Sequence, residues 1–184
     1  MRRIVNSTYV SLDGVIVDPQ DWPSPPGEDD GTGTRIQTEL ILDCDAVLMG
    51  RGTYEAFASV WGGRSGDPYT DQINAITKYV VSTTLTDPSW ANTVVIDSDP
   101  VGEIERLKAA PGKDIVQYGF GSLSHAMMRR GLIDELRLWV HPFFVGSGGP
   151  GHLLYRDGPQ AVFGFAGAQP LTSGIVVLTY ERRA

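Results

Sequence analysis

The first third of the chain contains an apolar strand pattern, a turn and a long polar segment. Apolar side chains recur through residues 4–12, which indicates a strand, and Asp13-Gly14 closes it with a turn. A short strand is expected at residues 15–17. Residues 18–34 hold four prolines, three glycines and five acidic residues, so they suit neither a helix interior nor a central strand. This segment is either an ordered loop or a mobile lid.

The middle of the chain alternates between helical periodicity and short buried runs. In chain order, the pattern predicts a helix at 34–43, a strand at 45–50, a helix at 53–61, strands at 78–83 and 93–96, a helix at 100–110, a strand at 114–119 and a helix from 122 to Gly131. Such alternation is typical of an α/β fold, in which right-handed crossovers between parallel strands place helices on both faces of the sheet.

The pattern changes after the last predicted helix. Three apolar runs follow, at residues 136–146, 161–171 and 174–183. The last two are expected to form an antiparallel pair appended to the parallel strands, which gives a mixed, mainly parallel sheet. The sequence shows no internal repeat and no second domain, so residues 1–184 are expected to form a single domain.

Composition narrows the range of functions. Fifteen basic against 22 acidic residues give a net charge of −7, which disfavours binding to nucleic acid phosphates. No apolar run is long enough for a membrane-spanning helix, and no secretory signal pattern is present, so a cytoplasmic location is expected. The one cysteine excludes an internal disulfide and a cysteine-rich zinc site, and no histidine pair has the spacing of metal ligands. We therefore expect no metal.

Three strand ends run into turns that suit a bound anion. MGRGTYE, at residues 49–55, opens a helix whose N-terminal N–H groups and Arg51 favour phosphate. YGFGSLS, at 118–124, has the same organisation, and VVSTTL, at 80–85, ends a buried strand in three hydroxyl residues. Taken singly, the first turn is as readily explained by the need for a tight turn, and the other two are weaker evidence.

The order of these motifs is more informative than any one of them. MGRGTYE, VVSTT and GFGSL, preceded by a strand ending SLDGVI and by a Trp-Pro loop, resemble the dihydrofolate reductase superfamily over residues 3–183. The stretch GLIDELRLWVHPFFVGSGGPG, at 131–151, resembles the branch that includes the reductase domain of bacterial riboflavin biosynthesis. The resemblance implies a three-layer fold with a mixed sheet between helices, with residues 18–34 as its lid loop.

The resemblance also implies NADPH as the cofactor. In that case Arg51 meets the adenosine 2′-phosphate, and the nicotinamide lies beside residues 13–16. The cofactor-binding residues carried over in this way are Ile16, Gly50, Arg51, Gly52, Thr53, Ser82, Thr83, Thr84, Gly119, Phe120, Gly121, Ser122 and Leu123.

The substrate side departs from the folate enzymes. Their helix carboxylate, which binds the pterin, falls on Thr34 when positions are counted back from Arg51 without a gap. Glu39, Asp13, the lid acids (Glu28, Asp29, Asp30) and an ordered water remain as candidate proton donors, of which Glu39 and Asp13 are taken as the catalytic pair. Substrate contacts are expected from Trp22, Tyr54, Trp61 and Tyr118.

These expectations describe an NADPH-dependent oxidoreductase. It reduces a small heterocyclic substrate, pyrimidine or pterin-like, or a carbonyl or imine. The alternative is a module of the same fold that binds NADPH without catalysis, and an interaction or structural protein is a third hypothesis. The riboflavin branch usually dimerises, so a homodimer is expected, with Trp139, Phe143 and Phe144 as interface candidates, although aromatic residues on a late strand more often belong to the core. The zinc deaminase domain that often accompanies that branch needs a CxxC, which one cysteine cannot supply.

Overall fold

The computed structural model describes residues 1–155 and 158–183. Within these residues the strands are β1 (Ile4–Ser11), β2 (Cys44–Gly50), β3 (Thr77–Val81), β4 (Thr93–Ile96), β5 (Asp114–Tyr118), β6 (Glu135–His141), β7 (Phe163–Pro170) and β8 (Val176–Arg182). The helices are α1 (Thr32–Leu42), α2 (Arg51–Trp61), α3 (Pro68–Ala75), α4 (Pro100–Ala109) and α5 (Ser122–Arg129), with short 3-10 turns at Pro19–Asp21 and Pro150–His152.

The chain divides into two compact units. The first contains Met1–Ile4 and Thr34–Tyr118, and the second contains Val5–Gly33 and the chain from Gly119 onward. Each unit combines strands with helices.

The first unit contains four parallel strands in the order β4-β3-β2-β5. In β2, residues Ala46–Met49 are almost completely buried, because a central parallel strand is covered on both faces. Gly50 pairs with Val81, and Leu48 pairs with Gln117. The carboxyl ends of β2, β3 and β5 therefore lie along one edge of this set of strands.

Helix α3 was not predicted from the hydrophobic pattern, although its start carries a clear signal. Asp67 precedes Pro68, and its carboxylate accepts a hydrogen bond from the Thr70 backbone N–H at 3.0 Å. An aspartate before a proline is a common start for a helix. The C-terminal end of α3 is closed by Lys78, which is fully buried and donates to the carbonyl oxygens of Ile73, Asn74 and Ile76 at 2.8–3.0 Å.

In the second unit the strand order is β1-β6-β8-β7. β1 and β6 are parallel, whereas β8 is antiparallel to both β6 and β7. The predicted antiparallel pair at the C-terminal end is therefore confirmed. The strand predicted at residues 15–17 is wrong, because this segment forms a single bridge between Val15 and Leu153 and Asp18 then adopts a left-handed conformation (φ 52°).

The loop predicted as a lid is shorter than expected, since α1 begins at Thr32. Hydrogen bonds attach this loop to the turn between β7 and β8. The Gly27 N–H donates to the Ser173 carbonyl at 3.2 Å, and the Thr172 hydroxyl donates to the Glu28 carbonyl at 2.9 Å. Of the two alternatives for this segment, the structure shows a loop held in place.

Candidate functional site

The N-terminus of α2 presents free space to an anion. Its N-cap, Gly50, makes no side-chain capping hydrogen bond, so the first backbone N–H groups of the helix have no partner of that kind. A Cβ atom added at Gly50 or at Gly52 would meet no atom within 4 Å. An 11-residue helix also directs the positive end of its dipole to this point. A methyl-sized group therefore fits at both glycines without contact, and the helix dipole favours an anion at this end of α2.

Arg51 links this helix start to the turn after β3. Its Nη1 donates to the Thr84 hydroxyl at 2.6 Å, and its Nε donates to the Glu55 carboxylate at 2.7 Å. The Arg51 side chain is 46% exposed. Two of the three predicted anion-binding turns therefore meet within the first unit, with a guanidinium and a hydroxyl side by side.

The three hydroxyl residues after β3 have different roles. Ser82 is buried, and its hydroxyl accepts hydrogen bonds from the backbone N–H groups of Thr84 and Leu85 at 3.1 and 3.0 Å. Thr83 and Thr84 are exposed. Ser82 therefore stabilises the turn, whereas the side chains of the two threonines face solvent.

The third predicted turn lies in the second unit and begins α5. Gly119 has a left-handed conformation (φ 79°), and its carbonyl accepts a hydrogen bond from the Asn6 side chain at 2.9 Å. Gly121 is the N-cap of α5, and a Cβ added there would meet nothing within 4 Å. Phe120 packs edge-on against His125, whereas Ser122 is exposed and Leu123 is half-buried. The space beside Gly121 is therefore free, the Gly121 N–H donates to the Ser124 hydroxyl at 3.4 Å, and Phe120 serves packing.

Asp13, one of the two predicted catalytic residues, forms hydrogen bonds that link two loops of the second unit. Its carboxylate accepts from the Ser11 hydroxyl at 2.5 Å and from the backbone N–H groups of Val145 and Gly146 at 3.1 and 2.8 Å. The Ser11 hydrogen bond, followed by that of Gly146, lowers the pKa of Asp13 to about 2. A carboxylate held ionised in this way is a poor proton donor near neutral pH. Ile16 lies beside this loop, buried, with its N–H on the His152 carbonyl at 2.9 Å.

Glu39, the other predicted catalytic residue, lies on the solvent side of α1. Its side chain is 61% exposed and forms an ion pair with Arg35 at 2.8 Å. The inward side of the same helix is occupied by Ile36, Leu40 and Ile41, all buried. A proton donor must reach a substrate from which water is excluded, and this position does not favour that role. Thr34, the position reached by direct counting, is exposed.

The predicted substrate contacts fall into both units. Tyr54 is 3% exposed, and its hydroxyl accepts from the Trp90 backbone N–H at 3.0 Å, so it is a core residue of the first unit. Trp22 belongs to the second unit, where its ring packs edge-on against His141 and Phe143. Trp61 and Tyr118 belong to the first unit, where both are part of an aromatic cluster.

That aromatic cluster extends from α2 through β5 to α3, and we call it the tyrosine cluster. The Phe57 and Tyr118 rings lie 4.9 Å apart, and the Trp61 and Tyr69 rings lie 5.0 Å apart. The hydroxyls of Tyr69 and Tyr118 are hydrogen-bonded at 3.2 Å. Phe57 and Tyr69 belong to this cluster and are not among the predicted substrate contacts. Tyr69 could be located from the sequence only through the capping pattern at the start of α3, because hydrophobic periodicity does not reveal this helix.

The proposed interface residues are partly corrected by their burial. Trp139 is only 2% exposed, and its indole N–H donates to the Ser7 hydroxyl at 3.1 Å, so it belongs to the core. Phe143 is half-buried against Trp22. Phe144 is 69% exposed, the largest exposed fraction of the three candidates.

None of the described helices is both long and apolar enough to span a lipid bilayer. Among residues 1–155 and 158–183, we find no group of three or more His, Cys, Asp or Glu side chains arranged to bind a metal ion.

Comparison with known proteins gives relatives of similar length. The uncharacterized protein YyaP of Bacillus subtilis (strain 168) is 30% identical over 192 residues, which cover 98% of this chain and 95% of YyaP. The crystal structure of a putative riboflavin biosynthesis protein from Shewanella sp. PV-4 has a TM-score of 0.71 at 22% identity and covers 99% of both chains. A pyrimidine reductase-like protein from Corynebacterium diphtheriae has a TM-score of 0.72 at 14% identity, covering all of this chain and 92% of the other.

At these identities the structural likeness concerns the fold, and it confirms the expected dihydrofolate-reductase-like combination of a mixed sheet with helices. The family is established by sequence. A model of the RibD C-terminal domain matches residues 2–177, nearly the whole chain, and the protein belongs to the RibD C-terminal domain family.

Proposed function

We propose that this protein is an NADPH-dependent reductase of a small heterocyclic substrate, pyrimidine or pterin-like, or of a carbonyl or imine compound. The observation that carries the proposal is the contact between Arg51 and Thr84 beside the open N-terminus of α2. A helix N-terminus, a guanidinium and an exposed hydroxyl together offer what a phosphate monoester binds. NADPH differs from NADH by such a phosphate, on the adenosine ribose.

The second unit supplies a separate argument for a dinucleotide. No atom lies within 4 Å of a Cβ built at Gly121, the N-cap of α5, and Gly119 precedes it in a left-handed conformation that favours glycine. We assign the pyrophosphate to the backbone N–H groups of residues 119–123, and the nicotinamide to residues 13–16. NADPH, when bound, supplies a hydride, and the protein orients the substrate and provides a proton.

Membership of the RibD C-terminal domain family and the descriptions of two relatives also favour a reductase. The relative from Corynebacterium diphtheriae is described as pyrimidine reductase-like, and the Shewanella relative as a putative riboflavin biosynthesis protein. These descriptions belong to those proteins. They support a reductase here because the family and fold are shared and the phosphate-type turns are present.

A non-catalytic NADPH-binding protein is the second candidate. It is favoured by one specific observation, namely that Glu39 is exposed and paired with Arg35 while Asp13 is held ionised. In such a protein the cofactor turns remain and the proton donor is missing.

Titration with NADPH and NADH, followed by tryptophan fluorescence and calorimetry, separates these possibilities. A reductase binds NADPH more tightly than NADH, and it oxidises NADPH in the presence of at least one member of a panel of dihydropterins, pyrimidines, quinones, ketones and imines. Binding without oxidation across the panel supports the non-catalytic candidate. A folded protein that does not bind NADPH at millimolar concentration contradicts both candidates.

A further inference from the structure

Reduction of a C=N or C=O bond requires a proton as well as a hydride, and the carboxylates expected to supply it are engaged elsewhere. Glu39 faces solvent beside Arg35, and Asp13 holds the loop at Val145 and Gly146. The lid acids Asp29 and Asp30 accept from the backbone N–H groups at the start of α1. A donor has to be sought among the other polar groups that the fold places near the open turns.

Tyr118 lies at the carboxyl edge of the parallel strands in the first unit, which is the edge with the open turns. It ends β5, the strand next to β2, and Leu48 in β2 pairs with Gln117 in β5. Because the two strands are parallel, Tyr118 lies at the same carboxyl edge as Gly50, where α2 begins. Ligands of parallel α/β folds bind at the carboxyl ends of their strands.

The hydroxyl of Tyr118 has a specific partner. It is 3.2 Å from the hydroxyl of Tyr69, and the two residues are only 5% and 8% exposed. If Tyr118 loses its proton, the resulting phenolate can accept an O–H donor from Tyr69, and such charge-assisted hydrogen bonds are about twice as strong as neutral ones. The pair is therefore built to tolerate a negative charge at Tyr118.

The rest of the tyrosine cluster suits a flat substrate. Phe57 and Trp61 are half-buried and lie on the α2 face that packs against Tyr118 and Tyr69. Aromatic rings of this kind stack on planar heterocycles and exclude water from them. Exclusion of water makes a hydrogen-bonded phenol a more effective donor, because water does not compete for the acceptor atom.

We propose that Tyr118 is the proton donor of the reduction and that Tyr69 is its positioning residue. This inference rests on the proposed reductase function. Tyr118 loses its O–H proton to the substrate nitrogen or oxygen, which takes the π electron pair displaced when the neighbouring carbon accepts the hydride. The substrate gains two electrons, NADPH is oxidised by two electrons, and Tyr118 regains a proton from solvent through the Tyr69 hydroxyl.

The test compares two kinds of hydride acceptor, in wild type and in Tyr118→Phe. The neutral acceptors of the panel (dihydropterins, pyrimidines, quinones, ketones and imines) need a proton, whereas the N-methylacridinium cation accepts a hydride and becomes neutral without one. We expect Tyr118→Phe to slow reduction of the best neutral acceptor by about a hundredfold, the usual contribution of a positioned acid. Reduction of N-methylacridinium and the affinity for NADPH are expected to change by less than about threefold.

Tyr69→Phe and Tyr155→Phe complete the set. Tyr69→Phe is expected to slow reduction of the neutral acceptor by about tenfold and to alter the pH profile of that rate. The rate of N-methylacridinium reduction is expected to stay unchanged. If Tyr118→Phe does not fold, this variant decides the question by the same comparison. Tyr155 is 82% exposed, and its phenylalanine variant is the control, for which no change is expected.

The possible failures are distinguishable. A wild type that binds NADPH but reduces neither kind of acceptor overturns the reductase itself. A reductase in which Tyr118→Phe leaves both rates unchanged, or lowers both equally, overturns only the role of Tyr118. A wild type that reduces N-methylacridinium and none of the neutral acceptors also overturns it, because no proton is then delivered.

Discussion

Arg51 donates a hydrogen bond from Nη1 to the hydroxyl of Thr84, 33 residues further along the chain, at 2.6 Å. The first residue of α2 is thereby joined to the turn that follows β3. Arg51 also pairs with Glu55 one turn along its own helix. Its guanidinium is held in place without being buried, as a site for an incoming phosphate requires.

Replacement of Arg51 tests the preference for the phosphorylated cofactor. We expect Arg51→Gln to weaken NADPH binding by about tenfold to a hundredfold, the equivalent of one charge-assisted contact, and to change NADH binding by less than about threefold. Calorimetric titration with both cofactors measures the difference. Arg106→Gln is a matched control, because Arg106 is also an exposed arginine paired with a glutamate, Glu103, on another helix. Equal losses for NADPH and NADH would contradict a role in reading the 2′-phosphate.

Gly52 provides a test in which stability and binding change in opposite directions. Alanine at this helical position is expected to raise the free energy of unfolding by about 0.5–1 kcal/mol, since no atom lies within 4 Å of the new Cβ. The same methyl group occupies the space assigned to a cofactor phosphate, so the affinity for NADPH is expected to fall by about tenfold or more. Urea unfolding and fluorescence titration measure the two effects. An alanine variant that binds NADPH like wild type would show that phosphate does not approach the backbone there.

The Asp13 carboxylate predicts a specific acid dependence. Its pKa is about 2 in the folded protein and 3.8 in the absence of these contacts, so its contribution to stability is complete above 3.8 and is lost as the pH falls through about 2. We expect Asp13→Asn to lower the melting temperature at neutral pH, and the difference from wild type to shrink between pH 3.8 and about 2. Thermal unfolding of both proteins over this range measures it. A difference that stays constant with pH would indicate that the carboxylate charge does not hold the 145–146 loop.

Lys78 is expected to be essential for stability and remote from function. Lys78→Met keeps most of the length of the side chain but removes the donor shared by three carbonyl oxygens at the end of α3, of which that of Asn74 retains the Asn92 amide. We expect a cost of about 2 kcal/mol or more. Chemical denaturation measures the loss, and NADPH affinity of the folded variant is expected to stay unchanged. Lys113→Met is the control, because Lys113 is exposed and donates to a single carbonyl, that of Leu42, so a change below about 0.5 kcal/mol is expected.

Gly27 fixes the loop of residues 18–31 to the turn between β7 and β8. A Cβ at this position would collide with the Thr172 carbonyl oxygen, so Gly27→Ala is expected to detach the loop. We expect limited proteolysis within residues 18–31 to become at least several times faster, while the melting temperature changes little. Thr172→Val removes the side-chain hydrogen bonds to the Glu28 carbonyl and to the Asp30 carboxylate without a backbone collision, and is expected to have a smaller effect. Proteolysis at the wild-type rate in Gly27→Ala would show that the loop is held by other contacts, such as those of Trp22.

Much of the fold could be predicted because its strands and helices have strong local patterns. The buried run that forms β2 and the TVVI segment that forms β4 were predicted within one residue of their observed bounds. Helix α3 was missed because its eight residues contain few apolar side chains, and its start depends on the capping of Thr70 by Asp67. The bridge at Val15 was mistaken for a strand because pairing depends on a partner, Leu153, that is distant in sequence.

The chemistry of the site divides in the same way. Glycines, an arginine and hydroxyl residues at strand ends mark phosphate-type turns in the sequence itself, since the need for a close backbone approach limits which residues fit there. The sequence alone did not show that Arg51 meets Thr84, that Glu39 faces solvent beside Arg35, or that the hydroxyls of Tyr69 and Tyr118 meet. Those facts depend on which side chains the packing of strands and helices brings together. Local patterns therefore determine where the turns lie, and only the tertiary structure decides which side chains meet beside them.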